Sequence, residues 1–158
     1  MKIYLVRHGE AVSKYEDPEC PLSPDGMEDA RKVAQCLARM EVRVKRIECS
    51  TKKRAFQTAQ IIAGALDLED RVFERQGLKP NDSPSALIEE LRAVKDDHML
   101  VGHLPFMEVL ASTLLTGSST GVYLNVHPAT VICLSGGFDR SWNLDWLIRP
   151  ELFRDFNP

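Results

Sequence analysis

The sequence has no long hydrophobic run, no excess of positive charge and few cysteines. None of its apolar stretches approaches the length of a membrane span, and the chain reaches Arg7 too early for a secretory signal. Its net charge of −3 differs from the strongly basic balance of a general nucleic-acid binder. We therefore expect a cytoplasmic protein that binds neither membranes nor nucleic acid.

The cysteines are too scattered to form a recognisable metal site or a disulfide scaffold: Cys20, Cys36, Cys49 and Cys133. We expect them to be reduced. The histidines and carboxylates also lack the spacing of a metal site, so the sequence predicts neither a metal nor another cofactor.

The apolar pattern alternates between strand and helix periods along the whole chain. At 158 residues and 44% apolar content, residues 1–158 suit one domain. Strands are predicted at 3–7, 46–50, 72–73 and 99–102, and helices begin near Pro24, Lys53, Pro84 and Phe106. This order predicts a three-layer α/β/α sandwich with a mainly parallel sheet.

An antiparallel hairpin is predicted at the edge of this sheet. Its strands are residues 130–134 and 142–148, and Gly136-Gly137 lies between them. In the second strand every other residue is apolar, which predicts one buried face: Trp142, Leu144, Trp146 and Ile148. The loops at 117–128 and 76–83 are irregular, and we expect surface connections there, with bordering of a substrate opening as the alternative.

The first strand ends in a motif suited to phosphoryl chemistry, Arg7-His8-Gly9-Glu10. A neutral imidazole nitrogen is a good nucleophile towards phosphorus when the other ring nitrogen keeps its proton and has an acceptor. Arg7 carries a fork of donors that matches phosphate oxygens, and Gly9 allows close approach of the backbone to an anion. His8 is therefore the candidate nucleophile, although a histidine at a strand end is more often structural.

Two further segments place side chains that can bind a phosphoryl group just after predicted strands. Arg54 falls in the first turn of the helix after the second strand, where free backbone N–H groups favour anions. Lys52 and Lys53 add positive charge or are plain solvated surface. In the segment 99–105, His103 follows a strand and precedes a helix with Pro105 at its first position. His103 would donate a hydrogen bond to a phosphoryl oxygen, either as a cation or neutral.

Together these segments resemble the histidine phosphatase superfamily, the phosphoglycerate mutase-like phosphatases with an Arg-His-Gly motif. The similarity runs from residues 5–10 through 21–26 and 50–59 to 101–105. It implies that His8 takes the phosphoryl group while Arg7, Arg54 and His103 complete the pocket. Because no long insertion precedes His103, the chain is most similar to the small SixA-type phosphohistidine phosphatases.

The sequence departs from this family at two points. Larger members carry an acidic proton donor in an inserted segment, and here only Glu10 and Asp82 are candidates. SixA-like proteins can also have a basic residue just before the Pro-Leu-Ser element, where this chain has Cys20. The absence of a clearly placed proton donor is compatible with phosphohistidine as the substrate, because imidazole leaves phosphorus more readily than an alkoxide does.

Three functions are compatible with these residues. The favoured one is removal of a phosphoryl group from phosphohistidine on a protein of the phosphotransfer type. The alternative is a metal-independent phosphatase for a small phosphoester, which would need Asp82 or Glu10 close to His8. The third is a phosphate-binding module without turnover. In each case phosphate or sulfate is expected to occupy the site.

A thiol mechanism is a rival to the histidine mechanism. Cysteine phosphatases also place a thiolate before an arginine at the start of a helix, as Cys49 stands before Arg54. Only four residues separate the two, however, and none of them is a glycine of the kind that such a phosphate loop uses. We therefore expect Cys49 to be no nucleophile.

Overall fold

The described part of the chain alternates between strands and helices, as the sequence predicts. The computed structural model describes residues 1–136 and 141–153. The elements are β1 (Lys2–Arg7), α1 (Pro24–Arg39), β2 (Ile47–Ser50), α2 (Lys53–Ala65), β3 (Val72–Arg75), α3 (Ser85–Ala93), β4 (His98–Gly102), α4 (Phe106–Thr116), β5 (Val131–Gly136) and β6 (Trp142–Ile148). Short 3₁₀ turns occur at Glu69–Arg71 and Pro150–Phe153. Among the helices so described, none is long and apolar enough to cross a membrane.

The strands form one mixed sheet in the order β3-β2-β4-β1-β5-β6. The pairs β2–β3, β2–β4 and β1–β4 are parallel, whereas β5 is antiparallel to both of its neighbours. The predicted parallel sheet with an antiparallel hairpin at its edge is therefore confirmed. Gly136 ends β5, and the predicted turn residue Gly137 lies outside the described residues.

Helices cover both faces of the sheet and divide the apolar side chains into two cores. The α1–α2 core takes Tyr4 and Val6 from β1, and the α3–α4 core takes Ile3 and Leu5 from the same strand. This two-sided burial explains the continuous apolar run of β1. Helix α1 begins as predicted, because the Ser23 side chain accepts a hydrogen bond from a backbone N–H of its first turn.

The predicted alternation of β6 is wrong. Asp145 is an additional residue between two pairs that β6 forms with β5, which is a β-bulge. Because a bulge shifts the two-residue period, Trp142 packs against the α3–α4 core whereas Trp146 packs against the α1–α2 core. Leu144 stays largely exposed.

The polar motifs meet at the carboxyl edge of the parallel strands. Arg7 pairs with Gly102 of β4, and its backbone N–H donates to the carbonyl of Thr130. On the other side of β4, Cys49 pairs with Val101, so that Ser50 is the next residue towards the same edge. The edge where an open α/β sheet binds ligands therefore holds all three strand-end motifs.

Candidate active site

His8 is anchored through its backbone between two neighbouring segments. Its N–H donates to the carbonyl of Gly102, and its carbonyl accepts from the N–H of Ala129 in the loop before β5. These two bonds continue the pairing of β1 beyond its last residue. The backbone of His8 is therefore fixed at the middle of the sheet edge.

The His8 side chain has one defined neutral tautomer. Its Nδ1 lies 2.6 Å from the Gly9 carbonyl oxygen, which can only accept a hydrogen bond, so Nδ1 must carry the proton. Nε2 is then unprotonated, and it accepts a hydrogen bond from Arg54 Nε at 3.2 Å. A nucleophilic histidine needs an acceptor for the hydrogen on its other ring nitrogen, and here that acceptor is the backbone carbonyl of the adjacent residue.

Arg54 lies in the first turn of α2, as predicted, and Thr58 one turn later ties that turn to the histidine loop. The Thr58 hydroxyl donates to the Arg54 carbonyl at 2.7 Å and accepts the N–H of Gly9 at 3.1 Å. Its neighbour Gln57 accepts the N–H of Leu22. The two polar residues therefore fix α2 relative to the loop that follows β1.

Arg7 is held by the loop that precedes β5. Its Nη1 donates to the carbonyl oxygen of Val126 at 2.7 Å. Burial lowers the pKa of Arg7 from its ordinary value, but a guanidinium stays charged at neutral pH. The end of the irregular stretch at 117–128 thus contacts the candidate site and is more than the surface connection expected first, and bordering of a substrate opening, the alternative, stays a prediction.

His103 lies beside His8 and is almost fully buried, with 1% of its surface exposed. The ring centroids of the two histidines are 4.8 Å apart, and the rings are tilted by 58°. His103 Nε2 is 2.9 Å from the hydroxyl oxygen of Ser50. Helix α4 begins just after, with Pro105 as its N-cap rather than its first residue.

The electrostatic environment keeps both histidines neutral. Burial is the main cause that lowers the pKa of His8 to about 4, and the charges of Arg54, Arg7 and Lys52 lower it further against the opposing bond to Gly9. Burial also lowers the pKa of His103 to about 3, again helped by neighbouring charges. Of the two states considered for His103, the structure favours the neutral one.

Three buried polar atoms at this edge lack a hydrogen-bond partner within residues 1–136 and 141–153: Arg7 Nε, His103 Nδ1 and Thr130 Oγ1. Buried polar groups are normally paired, because an unpaired one costs about 1–3 kcal/mol. Helix α2 also starts without a side-chain cap or an acidic residue in its first turn. Arg7 Nε and Thr130 Oγ1 can donate, and His103 Nδ1 can donate when it carries the ring hydrogen, so an anion at this edge would suit them.

Comparison with known proteins places this arrangement in a family. The sequence profile of the histidine phosphatase superfamily (branch 1) matches residues 3–79, which include Arg7, His8 and Arg54. The phosphohistidine phosphatase SixA of Escherichia coli is 23% identical over 155 residues, which are 95% of this chain and 94% of that protein. The chain belongs to the histidine phosphatase superfamily. The family is named for its phosphatases, and the SixA relative is one of them.

A second sequence relative and two solved structures are similar over most of the chain. An uncharacterised protein of Picosynechococcus is 36% identical over 148 residues, 89% of this chain and 88% of the relative. The structure of the protein histidine phosphatase SixA with tungstate has a TM-score of 0.87, 21% identity and coverage of 98% and 100%. A phosphoserine phosphatase of Entamoeba histolytica, bound to phosphoserine, has a TM-score of 0.71, 18% identity and coverage of 92% and 95%.

The two carboxylates predicted as proton donors of this histidine phosphatase have local partners. Glu10 is exposed, and its Oε2 lies 3.4 Å from the Ser23 hydroxyl. Asp82 accepts the N–H of Lys79 at 2.8 Å and so forms part of a turn before α3. For neither carboxylate does a hydrogen bond within the described residues reach His8, and a role as acid stays a prediction.

Other predicted residues fall outside the reacting centre. Cys49 is fully buried in the α1–α2 core, and burial raises the pKa of its thiol to about 12, so it is no thiolate at neutral pH. Cys20 has a positive φ of 46°, and its thiol donates to the carbonyl of Pro18 in its own loop. Lys53 forms an ion pair with Glu19. No group of three or more potential metal-ligating side chains occurs in the part of the chain that the structure describes.

Gly9 has a steric reason to be glycine beyond the one predicted. A Cβ there would lie 2.7 Å from the carbonyl oxygen of Gly26 in the first turn of α1. A Cβ on Gly26 would in turn lie 2.1 Å from the carbonyl of Glu10. The two backbones therefore pack against each other directly, and contact of Gly9 with an anion stays a prediction.

Sequence reasoning assigned no role to Ser50, Thr58, Val126 or Thr130. Ser50 and Thr58 lie inside the second motif, and both are buried. The signal in the sequence was a polar residue type within a segment that is otherwise predicted to pack against the core. Val126 takes part through its backbone carbonyl, which every residue type carries. No sequence pattern could have identified it.

Proposed function

We propose that this protein hydrolyses phosphoryl groups through a phosphohistidine intermediate on His8. The observation that carries the proposal is the tautomer of His8: Nδ1 donates to the Gly9 carbonyl, and the unprotonated Nε2 accepts from Arg54 Nε, a donor that a bound phosphoryl oxygen would take over so that the Nε2 lone pair is released for attack. The lone pair of Nε2 attacks phosphorus, and the leaving group departs with the electrons of its bond to phosphorus. Water then attacks the phosphoryl group, the P–N bond breaks, and inorganic phosphate and neutral His8 result.

The charge that develops during transfer would be neutralised by the groups around His8. A transferring phosphoryl group carries negative charge on three equatorial oxygens, and catalysis depends on donors that are already in position. Arg7 is positioned by Val126 and Arg54 by Thr58 and its helix. The two arginines supply the positive field that other phosphoryl-transfer enzymes take from magnesium, and the neutral His103 would add a hydrogen-bond donor.

For the substrate we propose phosphohistidine on a protein of the phosphotransfer type. An imidazole leaving group needs little protonation, and neither candidate carboxylate is hydrogen-bonded to the reacting histidine. The connection between β3 and α3 is also short, so no long segment from that side covers the pocket. The similarity to the protein histidine phosphatase SixA supports the same class. Cytoplasm stays the predicted compartment, in agreement with four cysteines that are all free thiols.

A small phosphoester is the second candidate. The structural likeness to a phosphatase that holds phosphoserine favours it, and such a substrate would require Glu10 or Asp82 to protonate an alkoxide. A binding module without turnover is disfavoured, because the proposed nucleophile and its activating partners are intact.

Parallel turnover separates these candidates. A phosphohistidine-bearing phosphotransfer protein, an aryl phosphate and an alkyl phosphate such as phosphoserine are compared as substrates for the parent enzyme. We expect phosphohistidine and the aryl phosphate to be cleaved well and the alkyl phosphate poorly. Turnover of phosphoserine as fast as phosphohistidine, lost selectively in Glu10→Gln or Asp82→Asn, would replace our proposal with the phosphoester reading.

A further inference from the structure

Ser50 is a fully buried serine whose side chain joins the end of β2 to His103. It has 0% of its surface exposed, and its Oγ lies 2.9 Å from His103 Nε2. The same Oγ accepts the backbone N–H of Lys52 at 3.4 Å. Ser50 therefore occupies Nε2 of His103, and Nδ1 is the buried ring nitrogen that has no hydrogen-bond partner within the described residues.

The protons of this pair can be assigned by counting acceptors. A serine hydroxyl has one hydrogen to donate and two lone pairs, one of which takes the Lys52 N–H. Within the described residues, the only acceptor bonded to the Ser50 hydroxyl is His103 Nε2. If the hydroxyl donates to Nε2, the neutral ring must carry its hydrogen on Nδ1.

The opposite tautomer leaves two buried groups unsatisfied. With the hydrogen on Nε2, the ring would donate to Ser50, and the Ser50 hydrogen would have no acceptor in the part of the chain that the structure describes. Nδ1 would then present a lone pair, which repels a phosphoryl oxygen. With the hydrogen on Nδ1, the one remaining unpaired group is a buried N–H donor, and a phosphoryl oxygen that reached it would satisfy it.

We propose that Ser50 is a positioning residue that holds His103 in its Nδ1-protonated neutral tautomer, so that Nδ1–H donates to an oxygen of the transferring phosphoryl group. The inference rests on the proposed function, in which His103 contacts that group. The depressed pKa of His103 agrees with this role, because a neutral imidazole exists in two tautomers whereas the cation carries a hydrogen on both nitrogens. Catalytic hydrogen-bond donors depend on such fixed orientation.

The resting tautomer is measured first, in the ligand-free parent protein. Nitrogen-15 spectra of the histidine rings distinguish a protonated from an unprotonated ring nitrogen. We expect His103 to carry its hydrogen on Nδ1 at pH 7. A hydrogen on Nε2 would overturn the proposal for Ser50 while leaving the proposed phosphatase function intact, because this measurement involves no substrate.

Substitution then tests the consequence for catalysis with an aryl phosphate. Ser50→Ala should lower kcat by roughly 10- to 100-fold with a much smaller change in KM, because a donor aimed at the transition state is lost. Ser50→Thr keeps the hydroxyl and should recover most of kcat and the Nδ1-protonated form. The matched control is Ser135→Ala, which removes a half-buried serine hydroxyl that donates to Asp145 at the end of β5 remote from the site and should keep kcat.

Each outcome has a separate meaning. Full kcat in a folded Ser50→Ala protein, or an unchanged His103 tautomer in it, would overturn the positioning role. An equal loss of kcat in Ser135→Ala would also overturn it, because the loss would then follow from destabilisation alone. A parent enzyme that cleaves no phosphoryl substrate would contradict the proposed function, whereas the tautomer spectrum would still decide whether Ser50 orients His103.

Discussion

The depressed pKa of His8 gives a prediction that needs no substrate. With a pKa of about 4, His8 stays neutral at acidic pH, mainly because it is buried. At pH 5 a histidine with that pKa is about 90% neutral, whereas one with the ordinary pKa of 6.5 is about 3% neutral. Because Arg54 is a contributing charge, Arg54→Gln should raise the pKa of His8, but not to the ordinary value, since burial is the larger cause.

The assay is a titration of the histidine ring signals by NMR in the ligand-free protein. Arg92→Gln is the control, because it removes an exposed arginine on α3 whose ion pair is with Glu89, and the pKa of His8 should not change. The folded state binds this proton less readily than the unfolded state, so the free energy of unfolding should fall as pH drops from about 6.5 towards 4. A parent His8 that titrates near 6.5 would refute the argument from burial.

Three further predictions follow from the site geometry. Arg54→Lys should lower kcat by about 100-fold in steady-state kinetics, because an ammonium cannot reproduce the guanidinium fork. A loss of only a few-fold would contradict a role for the fork. Thr58→Val should lower kcat by roughly 10- to 100-fold, because Gly9 and the first turn of α2 lose their common partner. The control Thr113→Val removes a similar hydroxyl-to-carbonyl bond in α4 and should leave kcat unchanged. Equal losses of kcat in the two variants would contradict a specific role of Thr58. Chelators should leave the rate unchanged, and a loss of turnover restored by added metal would show that the arginines do not suffice.

The positions of the main candidate groups could be predicted because they follow directly from element boundaries. His8 and His103 come immediately after apolar strands, and Arg54 comes immediately after the start of a helix. Parallel strands bring their carboxyl ends to one edge, so the local pattern was sufficient to bring these residues together.

What the sequence could not predict depends on contacts between distant residues. The hydroxyl of Ser50 meets a ring 53 positions away, and Arg7 meets a carbonyl 119 positions away. The bulge at Asp145 was missed because its sequence signal is one additional residue in an otherwise regular alternation. The close packing of Gly9 against Gly26 depends on the relative position of two backbones, which no local pattern encodes.

Trapping the phosphoryl group on the enzyme tests the central claim most directly. The parent protein is mixed with a labelled phosphohistidine protein, quenched in alkali because phosphohistidine is labile in acid, and mapped by mass spectrometry. We predict the label on His8, with attachment through Nε2, and no label or turnover in His8→Ala. A label on Cys49 or another residue, or substantial turnover by a folded His8→Ala protein, would contradict the mechanism.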